Sequence, residues 1–127
     1  MAPVLCADTT VALGRKVFGK PADAAEARET LRQLAGRVHR VITAVAVAGV
    51  RGKQLAVNVS SVRFAAVPEA ELVRYVASGE PFGKAGAYAI QSAAARWIER
   101  IDGSYSGIMG LPLYETAVLL RQAGVRF

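Results

Sequence analysis

The sequence predicts an α/β fold, with α+β as the alternative: a mixed, twisted sheet with helices against it. Valine-rich runs of strand length occur at residues 3–13, 38–49 and 54–65. Between and after them lie segments with helical spacing, bounded by capping residues and glycines. The 127 residues are one domain, 1–127, long enough for a sizeable core and short for two. A hydrophobic content of 53% against 20% charge excludes disorder.

Each element has its own local reason. Residues 3–13 read as a buried strand, and Gly14-Arg15 turns it into a short partner from Lys16 to Phe18, closed by Pro21. Asp23 caps the next helix, and Glu26 three residues on completes a capping box. Ala24, Ala27, Leu31 and Leu34 share one face of it, and Gly36 stops it. A hairpin follows, with arms 38–49 and 54–65 and its turn near Arg51-Gly52. In the second arm Leu55, Val57 and Val59 alternate with Ala56, Asn58 and Ser60, as in a half-buried strand. Pro68 opens a second helix that packs through Leu72, Tyr75 and Val76 and ends at Gly79. Residues 80–94 lack periodicity and carry Pro81, Gly83 and Gly86, which marks a functional loop. Residues 95–102 read as a strand, Gly103 to Gly110 as turn, and a last helix runs from Pro112 to near Gly124.

Composition narrows the partners. No window approaches the ~20 apolar residues that span a bilayer, so no membrane is expected. The N-terminus lacks a basic region before its apolar stretch, and the single Cys6 cannot form an internal disulfide; both point to the cytoplasm. The net charge of +6 comes from scattered arginines, with no dense basic tract. It reads as general attraction for anions, a nucleotide included, rather than as nucleic-acid binding.

The chemistry-bearing residues are few. Asp8 interrupts an apolar run, where an ionised carboxylate is costly unless a cation or metal meets it. It holds a metal or takes a proton from water, or else caps a turn or pairs with an arginine. Lys20 is constrained between Gly19 and Pro21, and Lys84 lies in Gly83-Lys84-Ala85-Gly86, where amides approach phosphates closely. Taken alone, Lys20 reads more readily as a solvated loop residue, and Lys84 alone is no stronger a signal. Gln91 carries donors and acceptors for a base edge. His39 has no second His or Cys at ligand spacing and reads as structural, and Cys6 reads as a small core hydrophobe.

Taken together, Ala7-Asp8-Thr9-Thr10-Val11, Gly19-Lys20-Pro21, His39-Arg40-Val41, Tyr75 through Pro81, Lys84-Ala85-Gly86-Ala87-Tyr88-Ala89-Ile90-Gln91 and Gly110-Leu111-Pro112-Leu113 resemble the Maf family of nucleoside triphosphate pyrophosphatases. The resemblance covers essentially the whole chain. It implies a Maf/ITPase-like sheet and cleavage of nucleoside triphosphates between the α and β phosphates, giving a monophosphate and pyrophosphate with Mg²⁺ or Mn²⁺. On that pattern Asp8 activates water and holds the metal, Lys20 and Lys84 hold phosphates, and Thr9 and Gln91 bear on base selection. The Lys-Ala-Gly-Ala-Tyr…Ile-Gln form resembles the branch acting on dTTP and UTP.

The family's first strand and helix, with a Pro-Arg-Arg loop and a further metal-holding acid, are expected before Asp8 and are not in this sequence. That amounts to roughly a third of the family length. The alternative reading is therefore a shortened chain that binds nucleotide or a partner without turnover. A sheet edge left open by the missing strand would favour self-association, so a homodimer is a further expectation. Ala89 and Ser92 stand where the family usually has glycine, and are expected to crowd the loop beside Gln91.

Overall fold

The computed structural model describes residues 2–127. Its strands are β1 (Val4–Leu13), β2 (Lys16–Phe18), β3 (Val38–Gly49), β4 (Gly52–Phe64) and β5 (Ile98–Asp102). Its helices are α1 (Ala24–Leu34), α2 (Glu69–Ala77), α3 (Tyr105–Met109) and α4 (Leu113–Gln122). The strands form one sheet in the order β2-β1-β3-β4-β5. The expected sheet with flanking helices is present, an α/β fold. Its pairings are antiparallel throughout rather than mixed. The cause is local: β1–β2 and β3–β4 are joined by tight turns, closing at the pairs Leu13–Lys16 and Gly49–Gly52. Tight turns join only antiparallel neighbours.

The helices start where the caps place them. The Asp23 side chain accepts from the Glu26 amide at 2.8 Å, while Glu26 reaches back to the Ala22 amide at 3.3 Å. That is one residue earlier than in a regular capping box. Ser104 caps α3 by accepting from the Gly107 amide, so the expected turn between Gly103 and Gly110 holds a short helix.

The core lies on one face of the sheet. Val11, Val41, Val62 and Phe64 meet Leu31 and Leu34 of α1 and Leu72 and Tyr75 of α2. Val45 and Val47 meet Leu119 of α4. Two strands present other faces to the core than their composition predicts. Leu55, Val57 and Val59 point to the other face and are 63, 55 and 54% exposed, while Ser60, Val62 and Phe64 point inward. The start of β1 is not buried either: Val4 through Asp8, Cys6 included, are exposed. The reason is in the topology, because β2 pairs only with Val11 to Leu13 of β1. Among the described residues, the edge of β1 from Val4 to Thr10 has no strand beside it.

His39 is a core residue, as expected. Its Nε2 lies 2.6 Å from the Tyr88 hydroxyl, and its ring meets Phe64 and Tyr88 edge-on. Burial lowers its pKa from 6.5 to about 4.

The inverted faces of β4 predict unequal costs. Val57→Thr should stay within about 0.5 kcal/mol of the parent, whereas Val62→Ala should lose about 2 kcal/mol or more. Urea unfolding checks both, and equal costs would mean the faces are misassigned. His39 sets a pH dependence whose sign follows from its lowered folded-state pKa. Below 6.5 the unfolded chain binds a proton that the folded chain refuses, so stability falls as pH drops from about 6.5 toward about 4. The loss should approach roughly 3 kcal/mol, and His39→Phe should flatten that part of the profile.

Candidate active site

The residues singled out in the sequence come together. Asp8, Thr9, Lys20, Lys84 and Gln91 line one cleft of about 300 Å³, with Tyr88, Ile90, Ile108 and Met109 as its apolar wall. Asp8 is the one carboxylate among the described lining residues.

The cleft is built around a strand edge. Consecutive side chains of a strand point to opposite faces, yet Ala7, Asp8 and Thr9 all line it. Three consecutive residues border one cavity when it runs along the edge of their strand, and among the described residues β1 has no neighbour on that side here. Thr9 shares the helix-covered face with its partner Thr43, whereas Asp8 belongs to the opposite, exposed face.

The loops that carry the cations are fastened to each other. The Gly86 amide donates to the Gly19 carbonyl at 3.2 Å, linking the Lys20 segment to the Lys84 loop. Gly86 has φ +73°, and a Cβ there would meet Val11 Cγ2 at 2.8 Å. Ala87 follows at φ +64°, a left-handed conformation held by a non-glycine residue. Such a residue costs roughly 1–2 kcal/mol. Its burial, together with the His39–Tyr88 contact one residue later, holds it in place. The two left-handed residues reverse the chain, so that Lys84 and Gln91 both face the cleft. Lys84 is half-buried, and its ammonium donates to the Glu80 carbonyl at 2.6 Å. Lys20 and Gln91 are exposed at the mouth.

Ser92 does not crowd this loop. Its hydroxyl donates to the Ala89 carbonyl at 2.7 Å, so the Tyr75 hydroxyl at 2.9 Å donates to it. Tyr88, Ile108, Met109 and Thr43 carry no signal of a role in the sequence. Tyr88 stood inside a motif already quoted, but the α3 residues lay in a stretch read as turn.

Among the described residues the cleft offers a metal one carboxylate, and no group of three His, Cys, Asp or Glu side chains could hold an ion. This donor set does not make a protein cage. Asp8 is the kind of oxygen donor that a hard divalent cation takes.

The tight approach of Gly86 to Val11 separates two glycines of the same loop. Gly83→Ala meets open space and should cost only the left-handed backbone penalty, about 1 kcal/mol. Gly86→Ala adds overpacking against a buried valine and should cost about 2–4 kcal/mol in denaturant unfolding. The reverse order would show that the loop is not seated on β1.

Comparison with known proteins gives the same picture. A family model described as Maf-like protein matches residues 1–123. A protein of Polaromonas sp. named dTTP/UTP pyrophosphatase is 62% identical over 125 residues, covering 98% of this chain and 62% of the relative. Proteins of the same name from Cupriavidus pinatubonensis and Burkholderia orbicola are 59% and 62% identical, covering 99% of this chain in both cases and 63% and 61% of the relatives. The chain thus spans about three fifths of the length of the curated relatives it matches. With the match running almost from end to end, this chain belongs to the Maf family.

Proposed function

We propose that this chain is a nucleoside triphosphate pyrophosphatase acting on dTTP and UTP in the cytoplasm. The observation that supports it is the meeting in one cleft of a carboxylate, two lysines and two residues able to read a base edge. The name of these relatives, dTTP/UTP pyrophosphatase, supplies the substrates. No helix among the described residues is long and apolar enough to cross a membrane.

The chemistry follows from the residues. Lys20 and Lys84 attract the triphosphate and neutralise oxygens of the leaving pyrophosphate. The Asp8 carboxylate, on the water-facing side of the edge, accepts a proton from a water whose oxygen bonds to the α phosphorus. The bond from that phosphorus to the α–β bridging oxygen breaks, and pyrophosphate departs. Thr9 and Gln91 orient the base against the apolar wall of Tyr88, Ile108 and Met109. A divalent cation, Mg²⁺ or Mn²⁺, would supply further charge neutralisation at the phosphates, with Asp8 as its protein ligand.

Pyrophosphate release from dTTP, UTP and CTP with Mg²⁺ or Mn²⁺ tests this reading. Asp8→Asn should lower turnover of dTTP and UTP by about 10²–10⁴-fold while nucleotide binding and the unfolding midpoint are retained. Turnover equal to the parent's would remove Asp8 from the mechanism. If neither substrate is cleaved by the parent, the non-turnover reading takes its place.

A further inference from the structure

The Thr9 hydroxyl has a fixed polarity, and the residue that fixes it is not in the cleft. Thr9 and Thr43 sit directly opposite each other across β1 and β3, with their hydroxyl oxygens 3.0 Å apart. Thr43 is completely buried. Its hydroxyl also lies 2.8 Å from the carbonyl oxygen of Gly107 in α3. A carbonyl only accepts, and a threonine hydroxyl has one proton. The proton of Thr43 therefore goes to Gly107, and the bond between the threonines has Thr9 as donor.

That carbonyl is held in place from several sides. The Gly107 amide donates to the Ser104 hydroxyl oxygen at 2.9 Å, and a Cβ on Gly107 would collide with Asn58. Asn58 is in turn tied to Glu115 at 2.7 Å. With its only proton turned inward, Thr9 presents lone pairs alone to the cleft it lines. Thr9 itself is half-buried and lines the cleft.

We propose that Thr43 is a positioning residue for base selection: it makes Thr9 an obligate acceptor, so the cleft favours a pyrimidine whose ring N3 carries a hydrogen. Uracil and thymine have that N3–H, whereas N3 of cytosine is a bare acceptor and would face a second acceptor. The inference rests on the nucleotide reading of the cleft and adds how the base is chosen. Thr43 touches no substrate; it acts through the direction of one proton.

The test uses the α,β-methylene analogues of UTP and CTP, which cannot be split at the α–β bridge, titrated by calorimetry with Mg²⁺. The parent chain should prefer the uridine analogue by about tenfold or more, as expected for one matched against one mismatched hydrogen bond. Thr43→Val frees the Thr9 proton to turn outward, and the preference should fall about tenfold toward equality, largely through tighter binding of the cytidine analogue. Thr43→Ala removes the same hydroxyl without the branched side chain and should give the same ratio, which covers a folding failure of the valine variant. Thr43→Ser keeps the hydroxyl and should keep the preference, a rescue that a purely structural role would not produce. An unchanged ratio in both hydroxyl-less variants would overturn the proposal. So would a parent chain that binds both analogues equally, with the nucleotide reading left standing. Binding of neither analogue by the parent would overturn that reading and the proposal together.

Discussion

Everything in the cleft depends on one close approach, that of Gly86 to Val11. There is no room for a methyl group between the loop and the sheet at this point. The contact brings the Gly86 amide within reach of the Gly19 carbonyl, and so sets the distance between the segments bearing Lys20 and Lys84. Two cations of like charge repel each other, so folding alone would not choose to face them. Here the backbone imposes it through a buried valine, a glycine in the left-handed region and a strained alanine beside it. Strain of that kind persists only where the surroundings over-determine it. The His39–Tyr88 contact and the Ser92 bonds to Ala89 and Tyr75 do so from the far side of the loop.

Much of this was legible in the sequence because it is written in local chemistry. Asp23 and Gly36 bounded α1, Pro68 and Gly79 bounded α2, and the valine-rich arms made the β3–β4 hairpin. Asp8, Lys20, Lys84 and Gln91 were legible as residue types and Thr9 only through the resemblance, and all five line one cleft. What was not legible is which side of a strand faces inward. In β4 the apolar positions change phase, from Leu55, Val57 and Val59 to Val62 and Phe64, while the pairing with β3 runs on without a shift between them. A period-two pattern reports a face only when one face is polar.

The reason for the phase change is tertiary. Where α3 lies against β4, it approaches so closely that Gly103 and Gly107 have no space for a Cβ beside Ser60 and Asn58. The inward positions there are small and polar because they tie a helix down by hydrogen bonds: Ser60 to the Ser104 amide and to Asn58, and Asn58 to Glu115. Valines could not make those bonds, and they occupy the outer positions instead. The burial expected for Asp8 failed for a related reason. Its neighbours are apolar, yet among the described residues no strand pairs with the outer side of that stretch of β1, and pairing is set by topology rather than by composition.

The edge also explains how one strand serves two purposes. Thr9 points to the packed side, where Thr43 and Gly107 hold its proton in one direction, so its hydroxyl is suited to recognition. Asp8, the next residue back, points to the open side, where water is plentiful and a carboxylate keeps its freedom to move. On the proposed roles, recognition wants a locked group and proton transfer wants a wet one, and adjacent positions of an edge strand suit both within one peptide unit. A slip of one residue against β3 would exchange the two roles, placing the carboxylate in the core and the hydroxyl in solvent. The continuous register of β1 on β3, from Val4 opposite Ala48 to Ala12 opposite Arg40, is therefore a requirement of the site as much as of the sheet.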